Sequence, residues 1–514
     1  MQRNPHTLPT QHRQTDMLWM HRVAFWPVLL LAVALLATGC TRGINPVTGN
    51  TRALGYSWEQ EKQLGREADQ QIQQQYGVYD NEELEAYVDR VARRVLAESH
   101  MRRTDTPAQF RETEFTFRVL DSPIVNAFAL PAGYIYVSRG LLAHMNNEAQ
   151  LAVVLGHEIA HVAARHASQR AARQQLTQIG LIGGAVLGEG LIGEGAGSQI
   201  LNLGGAASQL ISLSYSRGHE RESDALGVEY AALAGYEASE GAAFFTTLQR
   251  IQEQSGQTLP TWQSSHPDPG NREVRVREMA DEWRQRTPMT ERNEAEYLNA
   301  VEGLVLGENP RQGFTENNTF YHPDLRFQFP VPRQYQVVNQ ARQVVLVEPN
   351  QQAILGLSFA QEDSPEASAQ AFASQEGLRV IDRSTRSFNG IRAQRVLGEA
   401  DQQGGGALRV VAYFFEHEGT QLVFQGLTNR DRYDTYRDVF ARTIEGFAPL
   451  RDADKLNRQP TRVGLHEVSQ RAPFRSFVDE SALPSDLSLS DLAIINQVDE
   501  DEMIEPGRIL KLPR

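Results

Sequence analysis

The stretch His157-Glu158-Ile159-Ala160-His161 lies inside a predicted helix that runs from Asn147 to about Leu176. Residues four apart on a helix share a face, so both imidazoles project from the same side, one turn apart. Two neutral imidazoles placed in this way can bind one Zn²⁺ through bonds of about 2.0–2.1 Å. Glu158 points beside the ion, where a carboxylate can take a proton from an attacking water and hand it to a leaving amine. The alternative is a surface helix with two unrelated histidines, because so short a pattern also arises by chance.

A third ligand is needed, since a catalytic zinc site keeps three protein ligands and one open position. The stretch 215–224 supplies a candidate, because Glu220 and Asp224 are four apart on a predicted helix and share a face. Glu220 would complete a His, His, Glu site, and Asp224 would accept the second N–H of a zinc-binding histidine, which fixes its tautomer. Glu222 points elsewhere on this helix and is the second candidate. The alternative is a charged, solvated helix surface.

Several ordered motifs together resemble the M48 metallopeptidases, the group of the CAAX-prenyl protease and its soluble periplasmic relatives. The resemblance covers roughly residues 45–285 and departs at Ser223, where many members carry Ala. It implies a zinc endopeptidase with one Zn²⁺ per chain, in which His157, His161 and Glu220 are the ligands and Glu158 is the general base. The motifs are Asn45 to Gly49, Asn126 to Gly133, the His157 motif, Ser216-Arg217 with Glu220 and Asp224, and His266-Pro267 with Arg272.

Residues 115–137 alternate with a period of two, which predicts two strands with Asn126 to Gly133 between them. Metallopeptidases often bind substrate as an extra strand on an exposed sheet edge. Asn126, Ala127, Phe128 and Ala129 could offer that edge, as the family resemblance also suggests. The alternative is a purely structural hairpin.

Two further segments are expected near the cleft. His266 lies in a loop that the adjacent prolines make rigid, so its imidazole could approach the open position of the zinc or orient substrate. A loop histidine without a role is the alternative. Residues 180–211 are dominated by Gly, Ala, Leu and Ile, with Glu189 and Glu194 interrupting the run. We interpret them as a cover over the cleft or, equally, as a closely packed pair of Gly-rich helices.

Residues 1–39 have the pattern of a lipoprotein signal peptide. Arg22 precedes an apolar run, Val23 to Leu36, that is too short and wrongly flanked for a membrane span. The run ends in Leu36-Ala37-Thr38-Gly39-Cys40, which resembles a bacterial lipobox, so we expect acylation of Cys40. Thr41 follows and, by resemblance to Gram-negative lipoproteins, favours the periplasmic side of the outer membrane. The alternatives are an ordinary secretory signal and an anchored helix with a chance cysteine.

The predicted fold class is α+β multidomain. A mainly helical zincin-type metallopeptidase domain with a small β-sheet is expected over 40–290. An α+β sandwich-like accessory domain follows over 310–450, where strand and helix patterns alternate and no 34-residue repeat is found. Residues 460–514 resemble a LysM module, a glycan-binding unit, in their second half only. These residues are therefore expected either to bind glycan or to serve as a purely structural cap.

The formal net charge of −14 argues against a nucleic-acid partner, because phosphate binding needs clustered Lys and Arg. The leading hypothesis is a lipid-anchored zinc endopeptidase of the bacterial cell envelope that degrades misfolded or stalled envelope proteins. One alternative is a cell-wall-associated metallohydrolase that uses the LysM-like tail and binds peptidoglycan. The other is a chaperone-like binder, which the intact Glu158 argues against.

Overall fold

The structure is a computed structural model that describes residues 41–174, 215–255, 266–267, 271–401, 406–484 and 487–514. The predicted signal peptide with Cys40 and the Gly-rich segment 180–211 lie outside the described residues. Within the described ranges, no helix has the length and apolar character needed to cross a membrane. The fold is mixed α+β, with a helical N-terminal region that carries a small sheet and a large antiparallel β-rich region after it, as predicted.

The N-terminal region opens with a hairpin of Thr41–Ile44 and Thr51–Leu54. Most of its buried apolar side chains form a core around the helix of the His157 motif, and a smaller separate cluster lies between the helix Trp58–Tyr76 and the small sheet. The helices are Trp58–Tyr76, Glu82–Glu98, Ala108–Arg111, Arg139–Ala143, Glu148–Ala163, Arg217–Leu233, Glu240–Ser255, Arg272–Arg284 and Glu294–Val301, with a further helical stretch over 166–174.

The small sheet has three strands. Tyr134–Ser138 lies in the centre, parallel to Thr116–Leu120 and antiparallel to Ala127–Leu130. Ala127–Leu130 is therefore an edge strand, and it packs beside the helix of the His157 motif. Asn126 precedes this strand rather than belonging to it. The sequence analysis predicted the first and the last of these strands in chain order and treated Asn126 to Gly133 as the link between them. The strand Ala127–Leu130 within that link was not predicted.

The helix Glu148–Ala163, called the motif helix below, is buried along its whole length. Asn147 caps it, with the side-chain oxygen accepting from the backbone N–H of Gln150 at 3.0 Å. The predicted continuous helix to about Leu176 is wrong, because the chain turns at Ala164 and Arg165 before helical structure resumes. Arg165 adopts a left-handed φ of 58°. Its guanidinium is held by Glu61 and by the carbonyls of Ile44 and Tyr56, which stabilises the turn.

The β-rich region is built on a seven-stranded antiparallel sheet. Helices Pro365–Ala373 and Tyr433–Glu445 contribute to separate apolar clusters against this sheet. The strands, in spatial order, are Leu378–Phe388, Ile391–Asp401, Ala407–His417, Thr420–Asn429, Ala353–Phe359, Gln343–Val347 and Gln336–Gln340. A second sheet has the order Ala448–Pro449, Phe327–Pro330, Thr319–His322 and Phe314–Glu316.

The C-terminal residues form a small unit in which Val463–Glu467 pairs with Ile509–Pro513 and Ala472–Pro473 pairs with Met503–Ile504. The helix Leu489–Ile495 starts at a capping box. Apolar side chains of this unit belong to the same buried cluster as the helical region.

Candidate metal centre

Two glycines bring the donor-bearing helices together. The motif helix crosses the helix Arg217–Leu233, called the Glu220 helix below, at Gly156 and Gly227. A Cβ on Gly156 would lie 2.9 Å from the carbonyl oxygen of Gly227, and a Cβ on Gly227 would lie 2.8 Å from the backbone nitrogen of His157. Side chains larger than hydrogen would therefore force the helices apart. The close crossing places Glu220 and Asp224 directly against His157.

Four buried donors meet at one point: His157, His161, Glu220 and His266. The Nε2 atoms of His157 and His161 are 2.9 Å apart, and the Nδ1 atom of His266 is 3.3 Å from Nε2 of His157. Glu220 oxygens lie 3.5 Å from His157 Nε2, 3.4 Å from His161 Nε2 and 3.2 Å from His266 Nδ1. An ion with bonds of about 2.0–2.1 Å needs tetrahedral donor separations of about 3.3–3.4 Å. The donor set therefore fits a tetrahedral cation such as Zn²⁺.

The outer nitrogens of both motif histidines are already engaged. His157 Nδ1 lies 3.0 Å from Oδ1 of Asp224, and His161 Nδ1 lies 3.0 Å from Nδ1 of His166. Arg272 holds the Asp224 carboxylate through Nε at 3.0 Å and packs its guanidinium over the ring of Phe245. If the Nδ1 atoms carry the ring protons, the two Nε2 lone pairs face each other and repel. A cation between them removes this repulsion.

The charge states suit a cation. Burial lowers the pKa of His157 and of His161 well below the ordinary value, which keeps the two rings neutral and their lone pairs available. Burial alone would raise the pKa of Glu220, but His266, His161 and His157 outweigh it and hold that pKa well below its usual range. Burial raises the pKa of Asp224 to about 6, against the opposing effect of Arg272. A charged Glu220 beside the neutral rings of His157 and His161 is a typical set of metal ligands.

Glu158 lies beside the donors rather than among them. It is fully buried, and its carboxylate oxygens make no side-chain hydrogen bond in the described part of the chain. Its Oε1 is 3.7 Å from Nε2 of His266, and the backbone of Ala129 is its neighbour on the edge strand. Burial raises the pKa of Glu158 to about 7. The carboxylate thus stands between the donor cluster and the strand Ala127–Leu130.

Two aromatic side chains near the cluster had no predicted role. Tyr215 stacks on His161 with ring centroids 3.9 Å apart, and Nδ1 of His166 lies 3.0 Å from Nδ1 of His161. In an unbroken helix His166 would lie about 140° around the axis from His161, so its approach depends on the turn at Arg165. The spacing in the sequence carried no signal for either contact. Glu222, the second candidate ligand, lies outside the donor cluster and contacts His166 at 3.2 Å.

The part of the chain that carries these residues is similar to a known family. Residues 81–280 match the sequence model of peptidase family M48. The chain is 26% identical over 276 residues to the beta-barrel assembly-enhancing protease of Escherichia coli K12, and 26% identical over 268 residues to that of Yersinia pestis. It is 32% identical over 175 residues to the mitochondrial metalloendopeptidase OMA1 of Bos taurus.

These matches cover part of each protein. The E. coli match spans 52% of this chain and 52% of the relative, and the Yersinia match 50% and 52%. The OMA1 match spans 31% of each. The chain thus spans about half the length of the bacterial relatives it matches. The residues that match the family model include all four donors of the buried three-histidine, one-glutamate cluster, so the helical region of this chain carries a metal centre like that of an M48 peptidase.

Proposed function

We propose that this chain is a zinc-dependent endopeptidase of the bacterial cell envelope that cleaves misfolded or stalled envelope proteins. The observation that carries the catalytic part is the convergence of four buried donors beside the carboxylate of Glu158. Relatives named for enhancing β-barrel assembly support envelope proteins as the substrate class. The proposed division is a metallopeptidase domain over 40–290, an accessory domain over 310–450 and a C-terminal module over 460–514.

The metal ligands, the base and the edge strand have separate roles in the proposed reaction. Zn²⁺, when bound by His157, His161 and Glu220, would supply Lewis-acid chemistry at the scissile peptide. Glu158 receives a proton from the attacking water and passes it to the leaving amine, which requires the carboxylate to be near both. The edge strand Ala127–Leu130 offers main-chain hydrogen bonds to an extended substrate, and Ala129 lies next to Glu158. The strand would therefore hold the peptide alongside the base.

Metal analysis of purified variants tests the ligand assignment. Glu220→Ala should lose most bound zinc, because it removes the only carboxylate in the donor set. Glu222→Ala should keep zinc near one equivalent when the metal is in excess. Asp224→Asn should weaken zinc affinity or activity by about 10–100-fold, since it disturbs the group that orients His157. Zinc retained by the first variant and lost by the second would refute the assignment.

We further propose that His266 acts at the same centre. Its Nδ1 atom lies 3.3 Å from Nε2 of His157 and 3.2 Å from Glu220, so it stands at the fourth corner of the donor set. A fourth protein donor is typical of closed zinc sites, in which no position is open to substrate. In this proposal His266 gates the site by occupying the fourth position of the metal. The alternative is that His266, which lies next to Glu158, orients the substrate.

Lipid anchoring at Cys40 is a separate proposal that rests on the lipobox-like sequence and on Thr41 after it. The acyl chains would hold the enzyme on the periplasmic side of the outer membrane without a spanning segment. Cys40→Ser should abolish metabolic labelling with a fatty acid and release the protein from membranes. An unlabelled wild-type protein would favour a simple cleaved secretory signal.

The LysM-like tail motivates the second candidate function, a metallohydrolase directed at the cell wall. A panel that offers unfolded protein and purified peptidoglycan in parallel separates the two. Chelator-sensitive cleavage of the protein alone supports the envelope peptidase, whereas cleavage of peptidoglycan alone supports the alternative. Binding of unfolded protein without any cleavage would instead support the chaperone-like reading.

A further inference from the structure

The outer nitrogen of His161 contacts His166, which in turn contacts Glu222, the second candidate ligand of the sequence analysis. Neither residue has a role in the mechanism proposed above. His161 Nδ1 lies 3.0 Å from Nδ1 of His166, and His166 Nε2 lies 3.2 Å from Oε2 of Glu222. Both rings are buried, whereas the Glu222 side chain is 28% exposed. The three side chains form a continuous line from the donor cluster to the protein surface, called the relay below.

The order of the protons in the relay follows from the metal-binding nitrogen. Because Nε2 of His161 faces the other donors, its ring proton belongs on Nδ1, and this N–H donates to Nδ1 of His166. The proton of the His166 ring then lies on Nε2, from which it is donated to the carboxylate of Glu222. Each donor has an acceptor only in this order, so the carboxylate selects the tautomer of both rings.

We propose that His166 and Glu222 are positioning residues for the second metal-binding histidine, and that they act as the counterpart of Asp224 on the first. The proposal rests on the metal centre proposed above. His157 contacts its carboxylate directly, whereas His161 reaches one through an intervening imidazole. A hydrogen bond donated from the outer N–H of the ring raises the basicity of the nitrogen that binds the metal. It also keeps the ring from turning away from the ion.

The surroundings of His166 fix the plane of its ring. His219 stacks on it with ring centroids 4.2 Å apart and an interplanar angle of 13°. The hydroxyl of Ser223 lies 3.4 Å from the Nδ1 atom that accepts from His161, so it approaches the same acceptor from the Glu220 helix. The left-handed turn at Arg165 delivers His166 to this position. A histidine held in this way is built for one orientation rather than packed by chance.

Zinc affinity, measured by competition with a chromogenic chelator, tests the relay in the full chain. Glu222→Ala should weaken zinc binding by about 10–100-fold, because His166 loses the acceptor that orders its tautomer. Glu222→Gln, whose amide oxygen still accepts a hydrogen bond, should recover part of that loss. His166→Phe keeps a ring against His219 and should match Glu222→Ala. The visible absorption of the Co²⁺-loaded protein should change in both deficient variants, since it reports the ligand geometry.

Glu229→Ala is the matched control. Glu229 lies on the same helix, its side chain is 20% exposed, and it pairs with Arg103 away from the donor cluster. Its removal should leave zinc affinity and the Co²⁺ spectrum unchanged whatever it does to the unfolding midpoint. Equal zinc affinity in Glu222→Ala and Glu229→Ala, with wild-type protein that binds zinc, would overturn the relay alone. Wild-type protein that binds no zinc would overturn the metal centre itself, and the two failures are thereby distinguished.

Discussion

His266 differs from the other donors because it lies outside the two crossing helices. A donor outside the helices can leave the site without disturbing them, so the fourth position can open while three donors stay in place. We therefore expect His266→Ala to raise basal proteolysis with zinc retained. Cleavage of an unfolded protein, measured beside zinc content, checks this, with the exposed His466→Ala as control. Lower activity with full zinc content would contradict gating and favour a role in orienting substrate.

Sequence spacing predicts which side chains lie together only when both residues are on the same helix. His157 and His161 share a face of the motif helix, and Glu220 and Asp224 share a face of their own, so each pair could be read from the sequence. The contact of His166 could not, because it depends on the left-handed turn at Arg165. That turn is stabilised by a buried pairing with Glu61, 104 positions earlier in the chain, which no local pattern reports.

At the scale of elements, the site depends on how closely two helices approach. Gly227→Ala would place a Cβ 2.8 Å from the backbone of His157, so one helix must move. We expect a loss of about 1–3 kcal/mol in the free energy of unfolding, as for other overpacked contacts. Zinc affinity should fall as well, because the donors on the two helices separate. Urea unfolding and chelator competition measure the two effects.

Gly218→Ala provides the control on the same helix. A Cβ there would have no neighbour closer than 3.8 Å, so the variant should lose neither stability nor zinc affinity. If Gly227→Ala behaved like this control, the close crossing would not be what sets the position of Glu220.

Elements with regular apolar patterns were predictable, and those with mixed patterns were not. Strands such as Ala407–His417 and Thr420–Asn429 carry apolar runs that predict buried strands. Leu378–Phe388 carries no such run, because it is an edge strand with charged, exposed positions along most of its length. The pairing that stabilises this strand is with Ile391–Asp401, and tertiary pairing of this kind overrides weak local preference.

At the scale of the whole molecule, the C-terminal unit is packed into the peptidase core. The buried amine of Lys511 donates to the carbonyls of Ala143 and Met145, both at 2.6 Å, just before the motif helix. Gln497 donates to Gln150 in the first turn of that helix and to the carbonyl of His144. The last residues of the chain therefore hold the segment that leads into the motif helix. Sequence resemblance to a LysM module gave no indication of this contact.

Lys511→Met tests that contact. It leaves two buried carbonyls without their donor, which we expect to cost about 1–3 kcal/mol of unfolding free energy. Burial lowers the pKa of the Lys511 amine well below its ordinary value, so between the folded and the unfolded pKa the unfolded chain binds more protons than the folded chain. The advantage of the wild type over Lys511→Met should therefore grow as pH rises toward the ordinary lysine pKa of about 10.4. Urea unfolding across this range measures it.

Lys62→Met is the control, because Lys62 pairs with Glu59 one turn away on a helix surface. It should have little effect on stability at any of these pH values. A Lys511→Met protein as stable as this control would mean that the C-terminal unit does not stabilise the approach to the motif helix.

The central claim, a zinc endopeptidase with Glu158 as its base, is tested most directly by one paired measurement. Zinc content and chelator-sensitive cleavage of an unfolded protein are determined together for the wild type and for Glu158→Gln. The expected result is about one zinc per chain in both proteins, with cleavage by the wild type and a loss of several orders of magnitude in the variant, because the amide cannot accept the proton. Wild-type turnover by Glu158→Gln, or cleavage that persists without zinc, would contradict the claim.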